Sequence, residues 1–308
     1  MRIFSGSSHP KLANAICRYL GVDLGRIDVS KFPDSETKVQ VHDNVRGLEA
    51  YVVQSLCAPV NESLMELLII VDALRRASVK EIIAVIPYYA YARQDRKHAG
   101  RVPITAKLVA NLLVTSGVNR ILTMDLHASQ IQGFFDIPVD HLYARPVHLQ
   151  YIKNLGFENP VVMSPDVGSV KMAEGFARRI GGEIAVVEKR RVSDSNVETG
   201  HVIGDVKGRD VVICDDMITT AGSMSGAISV ARKFGARRVV AIATHGVFCP
   251  PSHERITAAG PDEVAVTDTI PQTPPDSGFK LSVLSVAELL GEAITRIHRN
   301  KSVSTLFG

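Results

Sequence analysis

Residues 211–223 read Val-Val-Ile-Cys-Asp-Asp-Met-Ile-Thr-Thr-Ala-Gly-Ser, and they restrict the possible folds more than any other stretch. Val211 to Cys214 form a short apolar run rich in β-branched residues, the pattern of a strand buried on both faces. Two adjacent carboxylates, Asp215 and Asp216, lead into a polar turn that closes on Gly222. The apolar period from Met224 to Phe234 predicts a helix, and Gly235 ends it. Val239 to Ala243 supply a second buried strand, so the unit is β–α–β, which is built with a right-handed crossover between parallel neighbours.

The same alternation runs through the first half. Strands are expected at 3–4, 27–32, 38–42, 50–55, 81–87 and 120–126, with helices over 10–20, 61–77 and 103–115. Beyond the midpoint, strands are expected at 161–164 and 183–187, and a last helix over 285–299. Two such series predict an α/β protein of two domains, each a mainly parallel sheet flanked by helices. A chain of 308 residues has the length for this. The seam falls near 144–147, giving domains 1–145 and 146–308, and the lack of a low-complexity linker there predicts domains that pack closely and share a cleft.

Composition narrows the class. With 45% hydrophobic and 22% charged residues the chain is not a disordered one. A net charge of +3 is too small and too dispersed to call for nucleic acid. The longest apolar runs, such as Leu67 to Val71, fall far short of the roughly 20 residues a spanning helix needs, so no membrane partner is expected. Polar Ser5-Gly-Ser-Ser8 leaves no room for the apolar core of a signal peptide. Cysteines at 17, 57, 214 and 249 show no C-x-x-C pair, which argues against a disulfide framework or a structural zinc site and for a reducing cytoplasm.

Ligands of β–α–β units sit beyond the carboxyl ends of the strands, where free N–H groups and the positive helix pole favour a phosphate. Thr219, Thr220, Gly222 and Ser223 would hold one. Asp215 and Asp216 beside an anion suit a sugar phosphate, whose hydroxyls donate to the acids while the ester takes the amides. A turn that merely caps a helix is the plainer alternative.

Other stretches carry separate chemistry. Between Pro87 and Lys97, three tyrosines precede Arg93, Asp95, Arg96 and Lys97, a pattern suited to stacking a base and meeting phosphates. Single-stranded nucleic acid uses the same chemistry over a longer groove. No G-x-x-x-x-G-K-[ST] loop occurs, which excludes a P-loop as the source of nucleotide binding. A period of two would put Asp125 and His127 on one face at a strand end, where a metal is one possibility and a hydrogen-bonded structural His the other. Asp166 opens a second anion-capable turn or simply caps the next helix. Glu188-Lys-Arg-Arg191 followed by polar 192–200 reads as a charged hairpin tip or as a cationic lid.

Ser5-Gly-Ser-Ser-His9, Tyr91-Ala-Arg-Gln-Asp95, Pro103-Ile-Thr-Ala-Lys107, Thr123 to Gly133, Ser164-Pro-Asp166 and Ser302-Val-Ser304 together resemble the ribose-phosphate pyrophosphokinase family over nearly the whole chain. The 215–223 loop is similar to the ribose-phosphate loop of the phosphoribosyltransferase-type fold, which implies two domains of that fold. The resemblance implies diphosphate transfer from ATP to the anomeric hydroxyl of ribose 5-phosphate, with Mg²⁺ as cofactor. It assigns Lys189 and Arg191 to catalysis, and Phe32, Asp34, Glu36, Arg93, Gln94 and Asp95 to ATP. Ribose 5-phosphate falls to Arg191, Asp215, Asp216, Thr219, Thr220, Ala221, Gly222 and Ser223, and the metal to His127 and Asp166. Asn44, Arg46, Ser302 and Ser304 match an allosteric phosphate and ADP site, and a homohexamer built from dimers is implied.

The chain departs from the family pattern in places. Thr219-Thr220 stands where relatives usually have Asp-Thr, Ser223 where they have Thr, Ser35 where Gly or Gln is frequent, and Asn44 where Ser is frequent. His98-Ala-Gly100 replaces a more basic tract. Two other readings stay open at this point: a non-catalytic relative that binds a true synthetase, and a phosphoribosyltransferase, which shares the loop and needs no ATP segment.

Overall fold

Apolar runs become strands and apolar periods become helices in the computed structural model, which describes residues 1–193, 196–276 and 278–307, without the side chains of 167, 188–193, 196–200 and 307. The first half contains β1 (Arg2–Ser5), α1 (Pro10–Leu20), β2 (Ile27–Lys31), β3 (Thr37–Val41), β4 (Glu49–Val53), α2 (Val60–Arg76), β5 (Glu81–Ile86), α3 (Thr105–Ser116), β6 (Arg120–Met124) and β7 (Val139–Leu142). The remainder contains α4 (Arg145–Asn154), β8 (Val161–Ser164), α5 (Val170–Ile180), β9 (Glu183–Ser193), β10 (Asn196–Ile203), β11 (Asp210–Ile218), α6 (Gly222–Lys233), β12 (Arg238–Gly246), α7 (Ser252–Ala259), β13 (Glu263–Thr267), β14 (Leu281–Leu284) and α8 (Ala287–His298). The result is an α/β fold of parallel sheets flanked by helices.

Two compact units emerge. The first comprises Met1–Tyr143, Thr269–Pro271 and Ser285–Gly308, the second Ala144–Asp268 and Gln272–Leu284. In the first, β1-β4-β5-β6-β7 form a parallel sheet. Its strands are apolar throughout because helices cover them: Val52, Ala84 and Ile121 are buried with Leu67, Ile70 and Leu74 of α2 and Val109 and Leu113 of α3. In the second unit the order is β10-β9-β8-β11-β12-β13-β14, parallel except for the β9–β10 hairpin at one edge.

Three features differ from the sequence expectation. First, β2 and β3 do not join the parallel sheet but pair with each other, antiparallel. Their half-buried positions alternate with exposed ones, and Ile27, Val29, Val39 and Val41 lie on the core, so the hairpin covers that core with one face only. Second, β9 does not stop at Val187 but runs to Ser193, opposite β10.

Third, residues from Ser285 onward belong with the first unit, although a boundary at 145 assigns them to the second. Helix α8 packs on α1, where Gly291 permits the approach: a Cβ there would lie 2.4 Å from Cδ1 of Tyr19. His298 Nδ1 lies 2.6 Å from Glu49 Oε2 and fastens the far end of α8 to β4. A helix placed by its apolar face goes to the core that face fits, whatever its position in the chain.

The β2–β3 turn is closed by Phe32 N–H donating to the Glu36 carbonyl (2.8 Å) and Ser35 N–H to the Phe32 carbonyl (2.9 Å). This puts Ser35 at φ 73°, a conformation that glycine adopts without a steric penalty. Relief of left-handed strain, set against the added freedom of the unfolded chain, predicts that Ser35→Gly stabilises by about 0.5 kcal/mol. A urea midpoint that falls on substitution would contradict this.

Candidate active site

The carboxyl end of β11 gathers the residues with the most chemistry. Asp215 and Asp216 are not in a loop but within the strand, and their two carboxyl groups interact directly. Pairing with β8 covers only Val211 to Ile213, whereas pairing with β12 continues to Ile218 opposite Gly246. Past Ile213 one edge of β11 therefore faces the turn that follows β8. From that turn Ser169 Oγ donates to Asp215 Oδ1 at 3.1 Å, and the Asp216 N–H donates to the same oxygen at 3.0 Å. Burial, then the Asp216 charge beside it, push the Asp215 carboxyl up to about 7, and Asp166 adds to the rise.

The loop beyond β11 is set by its carbonyls. Ile218 O accepts from Val247 N–H (2.9 Å) and Phe248 N–H (3.0 Å), and Thr219 O accepts from Cys249 N–H (3.0 Å). Thr220 O accepts from Nη1 of Arg255 at 3.0 Å. In a trans peptide the C=O and the following N–H point in opposite directions. Fixing these three carbonyls toward 247–255 turns the N–H groups of Thr219, Thr220 and Ala221 the other way. Ala221 sits at φ 60° as the N-cap of α6 and makes no side-chain cap bond, so the opening of the helix adds its own amides to the same concavity. Amides converging at a helix N-terminus favour an anion.

At Asp166 the capping alternative is realised. Its Oδ1 accepts from Gly168 N–H (3.0 Å) and Ser169 N–H (3.2 Å). His127 is exposed on the loop after β6. The expected shared face with Asp125 does not form, because β6 ends at Met124 and Asp125 turns to φ 39°, which breaks the period of two. Among the described residues no group of three or more His, Cys, Asp or Glu is gathered so as to hold a metal by itself. His127 and Asp166, each taken by itself, suit Mg²⁺ only in the manner usual for this ion, which takes one or two protein ligands and the rest from phosphates and water.

In the first unit, residues 91–95 are fastened by side chains from three directions. Tyr91 Oη donates to Asn61 Oδ1, Thr105 Oγ1 to Gln94 Oε1, and Gln130 Nε2 to Asp95 Oδ2 at 2.6 Å. Arg93 is exposed between them. Phe32, Asp34 and Glu36 are exposed at the tip of the β2–β3 hairpin, with Nζ of Lys38 5.6 Å from the centre of the Phe32 ring. Asn44 Oδ1 accepts from Arg46 N–H (3.3 Å), and at the C-terminus the Ser302 and Ser304 hydroxyls are 2.6 Å apart under Arg296, which donates to Ser302 O (3.1 Å). Lys189 and Arg191 lie on the backbone of β9, opposite Thr199 and Val197, and their side chains lie outside the described residues.

Sequence reasoning gave no role to Ser169, Arg255, Thr105 or Gln130. Ser169 follows Asp166 by three residues and was within reach of the motif. Arg255 was not, since it lies over 30 residues beyond the loop it touches and nothing local marks it.

A ribose-phosphate pyrophosphokinase from Gloeobacter violaceus is 52% identical to this chain over 100% of its length and 93% of the relative's. The chain belongs to the ribose-phosphate pyrophosphokinase family. A relative of the same name from Wolinella succinogenes is 49% identical over 99% of this chain and 98% of its own. The model of the N-terminal domain of ribose phosphate pyrophosphokinase matches residues 1–117, and that of the phosphoribosyl synthetase-associated domain matches 198–308. The crystal structure of phosphoribosylpyrophosphate synthetase from Mycobacterium smegmatis superposes with a TM-score of 0.90 at 44% identity, covering 97% of this chain and 99% of that one.

The raised proton affinity of Asp215 has a stability consequence in metal-free, ligand-free protein. Unfolded Asp215 would lose its proton near pH 4, while the folded one holds it to a higher pH, so the favourable contribution is complete below pH ~4 and is lost as pH rises through the raised value. Asp215→Asn keeps an oxygen for Ser169 and the Asp216 N–H and carries no charge. It is expected to exceed the parent in stability by about 2 kcal/mol at pH 8 and to match it near pH 4, read from urea midpoints. Equal midpoints at both values would contradict the assignment.

Proposed function

We propose that this ribose-phosphate pyrophosphokinase transfers diphosphate from ATP to the anomeric hydroxyl of ribose 5-phosphate, giving 5-phosphoribosyl 1-diphosphate and AMP. The observation that carries the reading is the loop at 218–221, whose carbonyls are fixed on one side and whose amides therefore point to the other, in a loop that follows two carboxylates. A sugar phosphate satisfies both halves: the ester oxygens take amides, and ring hydroxyls donate to Asp215 and Asp216.

In the proposed reaction the anomeric oxygen attacks the β-phosphorus of ATP in line. A new C–O–P linkage forms, the bond from the β-phosphorus to the oxygen of the α-phosphate breaks, and AMP leaves with that electron pair. The proton of the anomeric hydroxyl is released to solvent. Catalysis by the protein is then positioning plus neutralisation of charge on the moving group. Asp215 and Asp216 orient the pentose; Thr219, Thr220, Ala221, Gly222 and Ser223 hold its 5-phosphate. Lys189 and Arg191 would face the transferring diphosphate, and Arg191 also the sugar phosphate. Phe32, Asp34 and Glu36 would meet the nucleotide together with Arg93, Gln94 and Asp95, the last two held in place by Thr105 and Gln130. Mg²⁺, held by His127 and Asp166, would supply positive charge to the polyphosphate.

Cytoplasmic location, assembly of dimers into a homohexamer, and regulation by phosphate or ADP through Asn44, Arg46, Ser302 and Ser304 belong to the same proposal. No helix among the described residues is long and apolar enough to cross a membrane. A non-catalytic role is favoured by one feature only, Thr219 in place of an acid.

The test is AMP release by purified protein, expected to depend strictly on both ribose 5-phosphate and Mg²⁺. Absence of AMP from folded protein would overturn the activity, and turnover only on mixing with a second synthetase chain would favour the non-catalytic reading. Lys189→Ala is expected to lower kcat by about 100-fold or more while ATP affinity changes little, since its partner charge develops on the transferring group. Equal losses in both would contradict that role. Asp215→Asn should weaken ribose 5-phosphate binding and spare ATP, measured by calorimetry with each ligand alone.

A further inference from the structure

The anion loop contains a chemical gap. Neither residues 218–223 nor the first turn of α6 contains a Lys or Arg, yet the ligand proposed for them is an ester of phosphoric acid that is largely dianionic at neutral pH. Two of the three carbonyls that orient the loop are held by backbone amides of residues 247–249, which follow β12 directly. The third, Thr220 O, is held by a side chain, the guanidinium of Arg255 on α7. Its peptide is the one that aims the Ala221 N–H, and Ala221 itself sits in a left-handed conformation that costs a residue with a Cβ about 1–2 kcal/mol. The last link of the cradle is thus both the most strained and the one without a backbone clip.

Arg255 is also close to the mouth of the cradle. Its Nη1 lies 3.7 Å from the point where a Cβ on Gly222 would project, so the charge sits along the rim of the helix N-terminus. The side chain belongs to an exposed residue and reaches a carbonyl instead of a carboxylate. A guanidinium stays fully charged when it donates to a neutral carbonyl, so the bond to Thr220 leaves its positive charge uncompensated beside the loop.

We infer that Arg255 is a positioning residue for the 5-phosphate: it holds the Thr220–Ala221 peptide with its N–H toward the ester and lends the loop the positive charge that its own sequence lacks. The inference rests on the reading of 218–223 as the ribose 5-phosphate loop. It extends that reading to a residue of a different helix, and it makes affinity for the phosphorylated sugar, not the transfer step, the quantity Arg255 governs.

The experiment compares the parent with Arg255→Ala, Arg255→Gln and Arg255→Lys, by calorimetric titration with ribose 5-phosphate and by steady-state AMP release. Arg255→Ala is expected to raise Kd and KM for ribose 5-phosphate about tenfold or more, with kcat and KM for ATP within about twofold of the parent. Lys should restore most of the affinity and Gln much less. The difference between parent and Gln should shrink as salt rises, because an exposed charge is screened. A structural role would instead lower kcat, affinity for both substrates and the melting temperature together, and that result overturns the inference. An unchanged Kd overturns it too, and rescue by Gln as complete as by Lys overturns the charge contribution. A parent that binds ribose 5-phosphate without making AMP would sink the activity while the titrations still decide Arg255; a parent that binds none sinks both.

Discussion

The direction of three peptide groups, those joining Ile218 to Ala221, is the constraint on which the rest of the site depends. Their carbonyls are turned toward the chain leaving β12, and this is possible because β11 and β12 run in register until Ile218 lies opposite Gly246. Register in turn follows from two strands buried on both faces, Val211 to Cys214 and Val239 to Ala243, in which a slip by one residue would exchange both side-chain layers at once. Four hydrogen bonds of about 1 kcal/mol each, one of them charge-assisted, outweigh the roughly 1–2 kcal/mol of strain at Ala221. The cradle therefore persists without a ligand in it.

That rigidity places an anion site next to carboxylates, and the conflict is visible in Asp215. A carboxyl that is half-buried, beside Asp216 and within the field of Asp166, holds its proton well above the ordinary carboxylate range. The hydroxyl of Ser169 and the Asp216 N–H favour its ionised form but do not remove the burden. A ligand that brings hydroxyl donors, or a cation shared with phosphates, would relieve the repulsion between these carboxyls. Local destabilisation of this kind is common where binding is the purpose, since the groups left unsatisfied by the fold are the ones a ligand can satisfy.

Much of this was legible in the sequence, because it is local. The strand, acidic pair, polar turn and helix at 211–234 occupy consecutive residues, and the positive φ of Ala221 lies within the same motif. The turn at Asp166 was legible for the same reason. What escaped lies across the chain. Arg255 reaches back more than 30 residues, and α8 crosses to the first unit because its apolar face matches α1. The period-of-two argument failed at Asp125 for a different reason: it assumes that a strand continues, and a single left-handed residue ends both strand and alternation. The half-buried alternation of β2 and β3 did announce a one-faced hairpin, but only strand content, not its periodicity, entered the expectation.

Thr219 is where the family pattern and this chain part, and the loop geometry decides how far the difference extends. The backbone role of residue 219 is independent of its side chain: its carbonyl is bound by Cys249 N–H, and its own N–H is oriented by the Ile218 carbonyl. Exchange of an acid for a hydroxyl therefore leaves the phosphate cradle as it is. What changes is the rim itself, which loses one negative charge where a phosphate ester would dock and gains a group that can donate as well as accept. The consequence falls on recognition of the sugar phosphate and not on the groups assigned to diphosphate transfer, so Thr219 by itself gives a non-catalytic role little physical support.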